Sequence, residues 1–234
     1  MKLYILKLGW LQVPASVLDG SAPEESTALA PISALLIRHE AGNLLFDLGC
    51  REGDEGYTHA PDETMVRQLA LAGIRPEDVD LVVVSHLHGD HIGNIDLFPH
   101  ARVYLTREEW AGAEKWLGNS FQPRERLRFL GVGEEVDLLE GVRVLTLPGH
   151  TANLLGLQVT LPEGTLLFPS DCMYGPYNMM PEHQPKHVYH AGNYRDSIEK
   201  VMRIARETGG EIIYAHWTEQ YEALPKAPST LEAR

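Results

Sequence analysis

Short apolar runs alternate along this chain with stretches whose apolar residues recur every three to four positions. The runs predict strands over Leu3–Leu8, Ala34–Arg38, Leu44–Asp47, Leu81–Ser85, Arg102–Leu105, Val142–Leu147, Leu154–Leu161, Thr165–Phe168 and Glu211–Tyr214. Helical spacing appears three times. Thr64–Ala72 places Met65, Val66, Leu69 and Ala70 on one face, with Gly73 where a C-cap belongs. A second helix opens at Thr106, with Glu109 at the spacing of a reciprocal capping box, and runs toward Leu117. The third follows Asn193, carries Ile198, Val201, Met202 and Ala205 on one side, and ends at Gly209-Gly210. Strands and helices interleaved in this way predict a layered α/β architecture. No Pro/Gly/Ser-rich linker interrupts it, so 1–234 reads as one domain. Pro176–His190, rich in Pro, Met and aromatics, fits neither period and reads as an irregular loop, a candidate lid.

Composition narrows the function classes. The 234 residues carry 20 Lys+Arg against 33 Asp+Glu, a formal charge of −13. So acidic a chain repels phosphate backbones and anionic lipid, which argues against nucleic-acid and membrane partners. Cys50 and Cys172 are the only cysteines, too few for a disulfide framework and suited to a reducing compartment. Lys7 interrupts the apolar N-terminal run, and no stretch is long and apolar enough to span a bilayer, so the expected location is cytoplasmic. Eleven histidines are the unusual count. Their placement carries the chemistry.

Directly after the apolar strand DLVVV come Ser85-His86-Leu87-His88-Gly89-Asp90-His91. Alternate spacing puts His86 and His88 on one side, while Asp90 and His91 continue around the bend toward a second position. Imidazole and carboxylate donors packed this tightly suit zinc or iron rather than the all-oxygen shells of calcium. Further donors stand in the same context, each at the end of an apolar run: His150 after VLTLPG, Asp171 after LLFPS and His216 after IIYA.

In these residues the chain resembles the metallo-β-lactamase superfamily. HLHGDH matches its His-x-His-x-Asp-His motif, followed by PGHT, an Asp and a last His, and Asp47 in FDLG matches its Asp-x-Gly. The resemblance implies a four-layered αββα sandwich holding two divalent metal ions per chain, zinc before iron, manganese or cobalt. By position, His86, His88 and His150 would hold one ion and Asp90, His91 and His216 the other, with Asp171 bridging both. A hydroxide between two such ions is a nucleophile at neutral pH. Asp47 would orient a ligand imidazole. The chain departs from the family pattern at Ala152-Asn153, where a second Pro-Gly-His is common, and at Ser170 and Ala215, where glycine is common.

Within the superfamily, the pattern is most similar to the N-acyl homoserine lactone lactonases. Tyr174, three residues after Asp171, sits where those enzymes carry a tyrosine whose phenol approaches the substrate carbonyl. The resemblance therefore implies a hydrolase that opens a lactone or related ester, with Asp90 shuttling a proton and Tyr174 stabilising the oxyanion. A small-molecule lactone or ester is the expected partner, and a homo-oligomer is compatible with the sequence. Two apolar-rich loops, residues 10–33 and 176–190, are candidates for an acyl-chain pocket, with His183, His187 and His190 at its mouth. Cys172 reads as a small buried residue. Rival readings are a glyoxalase II-type thiolesterase, for which the tail after His216 is short, an iron-dependent persulfide dioxygenase, and a metal-stabilised scaffold without turnover.

Overall fold

The apolar runs form the strands of two sheets in the computed structural model, which describes residues 1–117 and 121–233. The chain divides into two units. One comprises Met1–Gly9, Ile32–Gly131 and Leu224–Glu232, and the other chiefly Trp10–Pro31 and Val132–Ala223.

The first sheet has seven strands: β1 (Lys2–Pro14), β2 (Thr27–His39), β3 (Gly42–Phe46), β4 (Tyr57–Thr58), β5 (Val79–Val83), β6 (Arg102–Thr106) and β7 (Leu127–Leu130), in the order β4-β1-β2-β3-β5-β6-β7. β2 and β3 form an antiparallel hairpin, whereas β3, β5, β6 and β7 run parallel. Parallel strands are covered on both faces, which is why they read as continuous apolar runs rather than alternating ones. Val82, Val83 and Val84 are fully buried accordingly. Phe46 pairs with Val83, so the chain leaves β3 at Asp47 and β5 toward Ser85 on the same sheet edge. In open α/β sheets, that carboxyl edge is where ligands bind. The helix Met65–Leu71 is capped as its sequence predicts: the Thr64 hydroxyl accepts from the Arg67 N–H at 3.4 Å. Gly73 follows in the left-handed region at φ +76°.

The second unit holds a five-stranded sheet of β8 (Val136–Leu139), β9 (Val142–Leu147), β10 (Leu154–Leu161), β11 (Gly164–Phe168) and β12 (Glu211–Ile212), ordered β12-β11-β10-β9-β8. Neighbours from β8 to β11 are antiparallel, and β12 joins β11 in parallel. The helix Ala191–Thr208 lays Tyr194, Ile198 and Val201 against Leu145, Leu147, Leu154 and Leu167. Each fully buried Leu, Ile or Val side chain contributes about 1.5–3 kcal/mol, so this stripe is what fixes the helix. Gly209, at φ +63°, ends it in the left-handed C-cap that the sequence predicts.

Several expectations change. Residues 10–33 are not a loop: β1 runs to Pro14, β2 begins at Thr27, and the helical turn Ala15–Leu18 lies between them. Their Gly, Gln, Ser and Pro content hid the strands. The long helix starts at Ala191 rather than after Asn193, because the His190 ring accepts from the Asn193 N–H at 3.1 Å and serves as N-cap. The last strand stops at Ile212, and the short strands β4, β7 and β8 went unread. The segment 176–190 is irregular as expected, with short 3-10 turns at Pro176–Met179 and Pro181–His183. Among the described residues, no helix is long and apolar enough to cross a membrane.

Candidate metal centre

In the first unit, the chemistry gathers where β5 ends. His86 is buried, His88 is exposed, and the helical turn Gly89–Ile92 carries Asp90 and His91 onward. His86 Nε2 lies 2.9 Å from His88 Nδ1, and the His86 and His91 ring centroids are 4.2 Å apart. Asp90 Oδ2 is 3.4 Å from His91 Nε2. Behind them, Asp47 Oδ1 accepts from the Ser85 N–H at 2.7 Å and Oδ2 lies 2.8 Å from His91 Nδ1. A carboxylate facing Nδ1 places the proton there, so Nε2 carries the lone pair that a metal requires. The Ser85 hydroxyl is 2.9 Å from His86 Nδ1 and 3.3 Å from His91 Nδ1.

This turn is built at some cost. Asp47 adopts φ +61°, a left-handed conformation that Asp tolerates better than most residues but that still costs roughly 1–2 kcal/mol. Gly93 has no room for a side chain: a Cβ there would lie 2.1 Å from Arg51 N and Cys50 C. The expected capping box is only partly a box. Thr106 Oγ1 accepts from the Glu109 N–H at 3.4 Å, but the Glu109 carboxylate reaches the Leu87 N–H, also at 3.4 Å, and steadies the histidine turn.

The second unit collects His150, Asp171, His216 and Tyr174. Asp171 sits in the 3-10 turn Ser170–Cys172 after β11, and Ser170 adopts φ +49°. The carboxylate faces two imidazoles at once, with Oδ2 3.5 Å from His150 Nε2 and Oδ1 3.3 Å from His216 Nε2. His216 Nδ1 lies 3.0 Å from the Pro31 carbonyl. A carbonyl only accepts, so Nδ1 holds the proton and Nε2 again carries the lone pair. Tyr174 is buried between the two histidines, its ring centroid 5.9 Å from that of His150 and 5.6 Å from that of His216. Its Oη is 3.3 Å from His150 Nδ1.

The local chain path explains these placements. Gly149, at φ +135°, could not carry a Cβ, which would fall 2.2 Å from Tyr194 N. The turn before His150 and the start of the helix Ala191–Thr208 are thereby pressed together. Hydrogen bonds from Ser197 Oγ to Pro148 O at 2.7 Å and from the His190 N–H to Gly149 O at 3.0 Å hold them.

Other candidates take ordinary roles. Burial first, then the Asp90 and Asp54 charges, pushes the Cys50 thiol up to about 12, and burial pushes Cys172 up as well. Neither is a thiolate near neutral pH. Cys172 packs in the core with Leu167 and Tyr194, as its small-residue reading expects. His183 lies 3.0 Å from Asp19, His190 caps its helix, and His187 is exposed. His100 Nε2 meets the Val79 carbonyl at 3.0 Å. The contacts of Ser85 and Glu109 with the histidine turn, and of Asn178 with the Tyr174 backbone, have no signal in the sequence: the spacing of Glu109 pointed only to a helix cap, and a lone polar residue beside a motif points to nothing.

The donor set of imidazoles and carboxylates on strand-end turns, with two histidines each presenting Nε2, fits divalent metal of the zinc or iron type. The family model described as the metallo-beta-lactamase superfamily matches residues 28–216. The chain belongs to this superfamily. Among curated superfamily members, it is 27% identical to the N-acyl homoserine lactonase AiiB of Agrobacterium fabrum over 97% of both chains. A solved N-acyl homoserine lactone hydrolase, with N-hexanoyl-L-homoserine bound at its catalytic metal centre, superposes with TM-score 0.87 at 20% identity, covering 98% of each chain. The dizinc quorum-quenching lactonase AidC superposes with TM-score 0.71 at 17% identity, over 92% of this chain and 86% of its own. The α/β class and metallo-β-lactamase fold expected from HLHGDH and PGHT are therefore borne out.

Proposed function

We propose that the two clusters act as one dinuclear metal centre in one hydrolase domain, and that the protein opens the ring of an N-acyl homoserine lactone. His86, His88 and His150 would hold one ion, Asp90, His91 and His216 the other, and Asp171 would be shared. Zinc is the first choice of metal. The observation that carries the reading is Asp171: each of its oxygens faces the Nε2 of a different histidine, an arrangement that suits a shared ligand. The lactonase relatives, matched over nearly their whole length, and the dizinc AidC support it.

When bound, two divalent ions would supply Lewis acidity toward the lactone carbonyl and lower the pKa of water. The protein's own groups complete the chemistry. Asp47 and the Pro31 carbonyl fix the tautomers of His91 and His216. Asp90 takes the proton released by the attacking water and passes it to the ring oxygen as the acyl–oxygen bond breaks, giving an N-acyl homoserine. Tyr174 donates a hydrogen bond from its phenol to the carbonyl oxygen as negative charge develops there. The acidic surface and the paucity of cysteine support a small-molecule substrate and a cytoplasmic location.

Metal analysis of chelator-free protein combined with a hydrolysis screen over lactones, thiolesters, phosphodiesters and β-lactams tests this. About two equivalents of divalent metal and selective lactone opening are expected. A single equivalent that does not rise on adding metal would eliminate the dinuclear centre, and activity confined to thiolesters would transfer the enzyme to the glyoxalase II-type reaction.

A further inference from the structure

One side chain holds the backbone of Tyr174. Asn178, fully buried, accepts through Oδ1 from the Tyr174 N–H at 2.8 Å and from the Gly175 N–H at 3.0 Å. Its Nδ2 donates to the Leu18 carbonyl at 3.0 Å and the His183 carbonyl at 3.1 Å. A carboxamide has one oxygen with two lone pairs and two N–H groups, and every one of them is used. No aspartate, leucine or histidine matches that set.

The His183 carbonyl is itself anchored. The Gly20 N–H donates to His183 O at 3.2 Å, and a Cβ on Gly20 would fall 2.0 Å from Gln184 O. Asp19 and Ser21 add a polar clasp on the His183 ring, at 3.0 and 3.1 Å from its Nδ1. Leu18, with Ala30, packs on the Tyr174 side chain. The residue whose phenol faces His150 is thus held by its ring from Leu18 and by its backbone from Asn178, and Asn178 is tied to Leu18 as well.

We infer that Asn178 is a positioning residue for the Tyr174 phenol, fixing through Oδ1 the direction in which the side chain leaves the backbone and through Nδ2 tying that direction to residues 18 and 183. The inference rests on the reading of Tyr174 as the donor to the lactone carbonyl. Displacing a reacting group by about 1 Å costs up to roughly 10²-fold in rate. Asn178 acts only through Tyr174, so its removal can cost no more than the loss of the phenol itself.

A double-mutant cycle and amide exchange test this together. Measured on N-hexanoyl-L-homoserine lactone, Tyr174→Phe and Asn178→Ala should each lower kcat about tenfold with KM within about twofold, and the double variant should be no slower than either. Amide exchange at Tyr174 and Gly175 should accelerate at least about tenfold in Asn178→Ala. Losses that multiply to about a hundredfold, or unchanged exchange at both amides, would overturn the assignment. If Asn178→Ala does not fold, Asn178→Asp decides: it loses both donor contacts and sets a carboxylate oxygen against the Leu18 and His183 carbonyls, so a folded Asp variant whose kcat falls at least about threefold, with no further fall when combined with Tyr174→Phe, upholds the proposal, and near wild-type kcat or a loss that multiplies with Tyr174→Phe overturns it. A wild type that opens no lactone would instead remove the functional reading, while the exchange arm, which needs no substrate, still decides whether Asn178 holds Tyr174.

Discussion

Asp47 and His91, 44 residues apart in sequence, meet at 2.8 Å, carboxylate Oδ2 against ring Nδ1. The contact is bought with a left-handed backbone at Asp47, and the second carboxylate oxygen ties the same residue to the Ser85 N–H at 2.7 Å. One side chain thus sets both the tautomer of a histidine and the path of the turn that carries it.

Asp47→Asn separates these roles. Asparagine tolerates the left-handed region and still accepts from Ser85, but it presents no charge to the His91 ring. Outer partners of ligand imidazoles are typically worth 10–100-fold in metal affinity, so binding should weaken by about tenfold or more with little change in melting temperature. Competition against a chelator of known affinity measures it. Unaltered affinity would reduce Asp47 to a turn former.

Asp171→Ala should cost more metal than His150→Ala or His216→Ala. In the proposed centre each histidine would serve one position, whereas the carboxylate would supply negative charge to both, so its loss would leave the two cations less screened from each other. Elemental analysis after gel filtration should show the alanine variant below one equivalent and each histidine variant retaining more. Equal losses in all three would mean that the carboxylate is not shared.

Gly149→Ala should destabilise the fold itself. The added methyl would sit 2.2 Å from Tyr194 N, at a backbone of φ +135° that side chains disfavour. Both elements must shift, for a cost of about 2–3 kcal/mol. For a chain of this length that corresponds to a drop in Tm of roughly 5–10 °C, readable by calorimetry. A change under about one degree would show that the turn and the helix start are not pressed together.

Asp19 gives a pH dependence of known sign. Burial alone would raise its carboxyl, but hydrogen bonds from Ser21 and His183 outweigh that and hold it below the ordinary 3.8. A depressed folded-state value means the contribution is complete above the ordinary value and is lost as pH falls through the folded one. Asp19→Asn should therefore lower Tm by about 1–3 °C near pH 6, and the gap should close below about pH 3. A gap that persists at low pH would assign the effect to packing instead of charge.

The candidate metal ligands stand out in the sequence because their chemistry repeats locally. HLHGDH is contiguous, and His150, Asp171 and His216 each follow an apolar run, so strand ends alone indicate where the donors emerge. The helix Met65–Leu71 and the left-handed end at Gly209 were equally legible, since caps are decided within a single turn of chain. The ends of β1 and β2 were not legible: a strand with one half in each unit and with Gly, Gln or Pro along it has no period of its own, and only pairing reveals it.

What the sequence by itself determined is the donor chemistry, the α/β class and the superfamily, all properties of short contiguous segments. Tertiary structure decided which oxygen faces which ring nitrogen. Asp47 was equally readable as a turn residue until its carboxylate was seen against His91, and Asn178 had no signal at all until its four hydrogen bonds were traced to residues 18, 174, 175 and 183. The physical reason is range. Ligand identity is carried by the side chain, whereas tautomer, orientation and the hold on Tyr174 depend on partners up to 185 positions away, fixed only when the strands and loops that bear them have packed.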